Sequence, residues 1–124
     1  MNFRAPFGAA LLGFATAAFA ADVNWPVYLG DKASSHYSSL RQIQSGNVAR
    51  LKIAWTYHAG GADRNNRSQI QCNPLIIDGV LYGTSPDLQV FAINAATGAE
   101  LWRFDPAALK RFNKSGVNRG LVYW

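Results

Sequence analysis

The side chains able to do chemistry are few in this chain, and their spacing is informative. Cys72 is the only cysteine, so no disulfide can form within the chain, and it reads as a small buried packing thiol in preference to a redox group. His36 and His58 lie far apart with no metal-ligand spacing around them, which makes both surface or packing residues. There is no GxGxxG run, no P-loop and no GxSxG elbow, so the common nucleotide and acyl-transfer sites have no support. The Asn-x-Ser triplets at Asn66 and Asn113 are short enough to arise by chance. What remains is positive charge. The net charge is +5, yet from Asp22 to Leu109 seven basic residues balance seven acidic ones. The surplus sits at the ends, above all in Lys110, Arg111, Lys114 and Arg119, which have no acid among them. That distribution argues against a nucleic-acid partner and suits a small anion, an acidic neighbour or a solvated surface.

The elements that must position these groups follow from pattern. The chain has 124 residues, 49% hydrophobic and 15% charged, a composition for one β-rich globular unit at most. Residues 1–20 read as a secretory signal: Arg4, an apolar run from Ala5 to Phe19, and the small-x-small site Ala18-Phe19-Ala20, with cleavage expected after Ala20. Export is the expectation. Residues 21–50 are polar and turn-rich, an irregular lead in which Ser45 is expected to cap one helical turn through Arg50. From Leu51 to His58 the text alternates, with Leu51, Ile53, Trp55 and Tyr57 on one side, which predicts a strand with one buried face. A loop over 59–68 follows.

The next stretch is a compact series. Pro74 to Ile77 and Val80 to Thr84 are predicted strands joined by Asp78-Gly79, a pair suited to a type I′ hairpin turn. Ser85-Pro86-Asp87 makes a turn, and Leu88 to Ile93 and Ala99 to Phe104 complete four antiparallel strands. Between the last two, Asn94 can bond its own backbone and Gly98 can take positive φ. Asp105 and Pro106 suit the cap and first position of a short helix over Pro106 to Phe112, and Leu121 to Trp124 opens another strand. A single four-stranded meander has two faces. Its apolar side chains Leu75, Ile77, Leu81, Val90, Leu101 and Trp102 need neighbouring surfaces, and repeat units of this kind are stabilised by stacking, with roughly three or more needed. The chain is therefore expected to be the leading piece of a longer protein.

The run "AINAATGAELW", Ala92 to Trp102, resembles the tryptophan-docking repeat of pyrroloquinoline quinone (PQQ) dehydrogenases, Ala-x-Asp-x-x-Thr-Gly-x-x-x-Trp. Asn94 stands where the repeat has aspartate, and it keeps the turn-capping oxygen. "SSHYSSLRQIQSGNVARLKIAWTYHAG" is similar to the family's N-terminal lead, "QCNPLIIDGVLYGTSPDLQVFAINAATGAELWRFDP" to its first blade, and "VNRGLVYW" to the entry into its second. The resemblance implies an all-β fold, an eight-bladed β-propeller in the full-length family. Residues 51–124 would supply an outer ring-closing strand over Leu51–His58, the first blade and the entry to the second.

The same resemblance implies site residues and chemistry. Arg119 falls where the family has an arginine contacting PQQ, whose three carboxylates and quinone oxygens suit a bidentate guanidinium. Gln71 falls where many members have a glutamate on the cofactor, and it keeps the hydrogen bonding while dropping the charge. Methanol-type members carry adjacent cysteines where this chain has Asn113 and Lys114, which tilts the implied substrate toward a sugar or polyol. The implied protein is a periplasmic oxidoreductase acting on an alcohol or sugar, with PQQ and calcium as cofactors. A cytochrome or membrane quinone would accept the electrons. The calcium ligands and the catalytic base are expected outside this chain, which alone would be inactive. The alternative is a non-enzymatic propeller scaffold of the outer-membrane assembly type. That protein needs a lipidated cysteine after its signal, whereas Ala21 stands there.

Overall fold

The computed structural model describes residues 23–65, 67–109 and 116–124. The expected signal over 1–20, the sequons at Asn66 and Asn113, and Lys110, Arg111 and Lys114 lie outside the described residues. Among the described residues the one sheet is a four-stranded antiparallel meander in the order β1-β2-β3-β4. Its strands are β1 Leu75–Ile77, β2 Val80–Thr84, β3 Val90–Asn94 and β4 Glu100–Phe104. The fold is all-β, as the alternation of short apolar runs and turns requires.

Turn chemistry sets the strand limits. Asp78 and Gly79 both hold positive φ, 50° and 75°, the condition for a two-residue turn whose twist matches that of its strands. The third strand begins at Val90, two residues later than the apolar pattern suggests. Leu88 is left-handed with φ 67°, and the Ser85 amide donates to the Gln89 carbonyl at 2.9 Å, so the loop closes before the ladder starts. The β3–β4 connection is held by Asn94, whose Oδ1 accepts from the Ala96 and Thr97 amides, both at 3.0 Å. A bulge between Ala92 and Ile93 accompanies this tight return.

Register then sorts the side chains. Leu75, Tyr82, Ala92 and Trp102 are cross-strand partners in one row, whereas Gly83, Phe91 and Arg103 form a row on the opposite face. Both faces contribute to the core: Leu75, Ile77 and Ala92 are buried on the first, Phe91 and Ile93 on the second. Chain segments outside the sheet cover each face in part. Leu121 to Tyr123 lie over the first, enclosing with Leu75, Tyr82, Val90 and Trp102 a cleft of about 380 Å³, and the Tyr123 ring is 6.2 Å from that of Tyr82. Trp102, 45% exposed, and Phe104 stay open to solvent beside it.

The second face carries a correction. Leu51 to His58 joins no ladder, contrary to the strand expected there. These residues cross the sheet face and attach to it through side chains. Trp55 and Tyr57 point into the structure, while Leu51 and Ile53 of the same alternating set are exposed, Ile53 at 85%. Alternation reported which residues share a side but could not say that only half of that side has a surface beneath it. Smaller differences are local. The helical turn expected from Ser45 is a 3-10 turn over Val48–Arg50 preceded by Asn47, whose side chain accepts from the Gln44 amide and donates to the Gln42 carbonyl. Of the helix expected over Pro106 to Phe112, the described part is a 3-10 turn over Pro106–Leu109, capped by Asp105 Oδ1 accepting from the Ala107 amide; residues 110–112 lie outside the described residues. Leu121 to Trp124 forms no strand; its backbone is led in by the isolated bridge between Asn73 and Gly120, and its side chains pack on the first face.

Candidate functional site

The end of the sheet beyond β1 gathers the residues singled out in the sequence. Asn73, just before β1, makes a parallel bridge with Gly120. Its amide donates to the Arg119 carbonyl at 3.0 Å, and its Nδ2 reaches the same oxygen at 3.4 Å. Asn118 Oδ1 orders the incoming segment internally, accepting from the Gly120 amide at 2.9 Å, and ties it to β2 by accepting from the Thr84 hydroxyl at 3.5 Å. Gln71, Cys72 and Asn73 on one segment and Asn118, Arg119 and Gly120 on the other are thus held side by side, although they lie more than forty positions apart in sequence.

Within this pair of segments, Arg119 is exposed and Gln71 and Cys72 are half-buried. Neither the Arg119 guanidinium nor the Gln71 amide engages another described residue by hydrogen bond or ion pair, so both keep their full bonding capacity. A guanidinium fixed at its backbone and free at its tip can take a planar carboxylate in two parallel hydrogen bonds, and a neighbouring neutral amide adds one donor and one acceptor. The donor set fits an oxygen-rich anionic ligand such as PQQ. Cys72 is a free thiol, less buried than the packing role expected. Among the described residues no group of three His, Cys, Asp or Glu side chains is placed to hold a metal ion. A polar cleft of about 460 Å³ lined by Asp63, Arg67, Ser68, Gln69, Pro86, Gly116 and Val117 includes residues from the chain just before both segments.

The second-face contacts are a feature that sequence reasoning missed. Trp55 donates from Nε1 to the Ala95 carbonyl at 3.1 Å and lies flat against Gly98, where a Cβ would come within 2.7 Å of the indole. Glycine in the Thr97-Gly98 turn therefore serves two ends, positive φ and the close approach of a ring. Tyr57 packs on Phe91 with centroids 4.9 Å apart, and its hydroxyl donates to Glu100. Arg103 sits over both rings and bonds the Ala59 carbonyl at 2.8 Å, Gln89 Oε1 at 3.1 Å, the Tyr57 hydroxyl at 2.6 Å and Glu100 Oε2 at 3.0 Å. The Tyr57 hydroxyl, and then Arg103, hold the Glu100 carboxyl below the usual carboxylate range. Burial, reinforced by Glu100, pushes the Tyr57 phenol above its ordinary value. An arginine set among Leu101, Trp102 and Phe104 was the available signal: a charge with apolar neighbours on a strand needs polar partners, here drawn in part from another segment.

Comparison with known proteins identifies relatives of this chain. A family profile described as "PQQ: Glucose/ethanol/alcohol dehydrogenase, beta-propeller domain" matches residues 25–124. The chain is 33% identical over 123 residues to the 1-butanol dehydrogenase (cytochrome c) of Thauera butanivorans, covering 96% of this chain and 17% of that protein. It is 39% identical over 110 residues to quinoprotein glucose dehydrogenase A of Acinetobacter calcoaceticus, covering 84% of this chain and 14% of that protein. The crystal structure of quinohemoprotein alcohol dehydrogenase from Comamonas testosteroni superimposes with a TM-score of 0.60 at 32% identity, over 68% of this chain and 12% of that one. The chain thus spans about one seventh to one sixth of the length of the curated relatives it matches. With a meander carrying the docking tryptophan, and a profile match running from Trp25 to the last residue, this chain belongs to the PQQ-dependent glucose/ethanol/alcohol dehydrogenase β-propeller family.

Proposed function

We propose that this chain supplies the first blade and part of the quinone-binding rim of a periplasmic PQQ-dependent dehydrogenase that oxidises an alcohol or a sugar or polyol. The observation that carries the proposal is the Asn73–Gly120 bridge, which brings Gln71 and Arg119 to one end of the sheet with their polar tips unengaged. PQQ, when bound, supplies the hydride-accepting carbonyl of the reaction. Arg119 would pair with a PQQ carboxylate, and Gln71 would hydrogen-bond it without adding charge. Calcium and the catalytic base would come from residues outside this chain. The exposed Trp102 and Phe104 beside the apolar cleft support a role as one sector of a larger ring, since an indole half open to water is a surface awaiting a neighbour.

The test is PQQ binding by the complete protein, read as quenching of intrinsic fluorescence and as recovered activity. Arg119→Ala is expected to weaken binding by about tenfold or more, the loss of a charge-assisted hydrogen-bonded pair. Equal binding by the variant and the unsubstituted protein would overturn the role given to Arg119.

A further inference from the structure

The segment from Trp55 to Gly61 runs over the second face of the sheet as a strap, fastened at both ends of the blade. At one end the Trp55 indole holds the Ala95 carbonyl in the β3–β4 turn. At the other, Gly61 lies so close to Asp87 in the β2–β3 turn that a Cβ there would meet its carboxylate at 2.0 Å. Between them stands Arg103, which bonds two groups of the strap (the Ala59 carbonyl and the Tyr57 hydroxyl) and two of the blade, Gln89 in the β2–β3 loop and Glu100 in β4. Beyond the strap the chain closes on itself, the Asp63 amide donating to Ser68 Oγ at 2.7 Å and Arg67 Nε pairing with Asp63 at 2.9 Å. Only Gln69 and Ile70 then separate this closed loop from Gln71. The path from Arg103 to Gln71 is therefore a fastened strap followed by a self-bonded loop, with little free chain between them.

We propose that Arg103 is a positioning residue for the cofactor end of the blade, setting the place of Gln71 through Tyr57, Ala59 and the closed loop. The proposal rests on the PQQ reading above. Lysine keeps the charge at this position but cannot make the fork of contacts to strap and sheet together.

The test uses Arg103→Lys in the complete protein, alone and with Gln71→Ala, with two readouts. Hydrogen exchange is expected to quicken over residues 57–71 while Leu81 and Ile93 in the core keep their protection. PQQ binding is expected to weaken about tenfold in Arg103→Lys, and this loss is expected to shrink to near nothing when Gln71 is already alanine. Unchanged exchange over 57–71 would overturn the proposal. So would an affinity loss of equal size in both backgrounds, the result of a merely structural role. An unsubstituted protein that binds no PQQ defeats the reading of the site itself, and exchange over the strap then still reports independently on whether Arg103 holds it.

Discussion

Replacing Gly98 by alanine tests how the strap and the docking turn are joined, and the magnitude can be worked from two features. Gly98 has φ 73°, and a residue with a Cβ in the left-handed region costs about 1–2 kcal/mol. The new methyl would also lie 2.7 Å from Cδ2 and Cε3 of Trp55. These are rigid ring atoms, so the indole must move and its bond to the Ala95 carbonyl stretches or breaks, at about 1 kcal/mol. The sum is about 2–3 kcal/mol against the β3–β4 hairpin. With Trp55→Ala already in place the overlap and the bond are both gone, and Gly98→Ala should cost only the backbone strain. A coupling of about 1 kcal/mol between the two positions is expected. Urea unfolding of the four proteins of this cycle, with exchange of the Gly98 amide as a local check, measures it. Equal costs of Gly98→Ala with and without the indole would refute the packing of Trp55 on the turn.

Other outcomes follow from single contacts. Asn94→Ala removes the oxygen that accepts from the Ala96 and Thr97 amides and should destabilise the hairpin by about 1 kcal/mol, whereas Asn94→Asp keeps the acceptor and should be close to neutral in the same unfolding measurement. The strap should respond to pH at both extremes. The Glu100 pKa is lowered, so its contribution is present above the unfolded carboxylate range and is lost as pH falls through the depressed folded value. The Tyr57 pKa is raised, so its contribution is present below the ordinary phenol range and is lost as pH rises through the elevated one. Trp55 fluorescence followed against pH should be flat across neutrality, and a transition there would contradict the Tyr57–Glu100–Arg103 cluster. In the complete protein Trp102 should be shielded from a soluble quencher, as a half-exposed indole is when a second sheet stacks on it; free quenching would speak against a neighbouring blade.

Much of the sheet was legible because its information is local. Asp78-Gly79 fixes a turn through φ alone, Asn94 and Gly98 fix another, and the short apolar runs between them have nowhere else to go. The limits of the third strand were less so, since the left-handed Leu88 follows from how Ser85 and Gln89 meet and not from leucine's own preference. The segment 51–58 misled for a deeper reason: a strand and a face-crossing strap both alternate, and only the neighbours decide which backbone finds a ladder. At the candidate site, Arg119 and Gln71 were each legible through the family resemblance. Their adjacency was not, because it depends on the bridge between Asn73 and Gly120, a contact between segments far apart in sequence. Arg103 was hidden likewise, its four partners coming from three stretches of chain.

The most direct measurement is a crystal structure of the complete protein with PQQ bound. The account predicts a PQQ carboxylate within about 3 Å of the Arg119 guanidinium, with the Gln71 amide at the same rim of the ligand. A quinone seated elsewhere, with Arg119 turned to solvent and Gln71 out of reach, would contradict it.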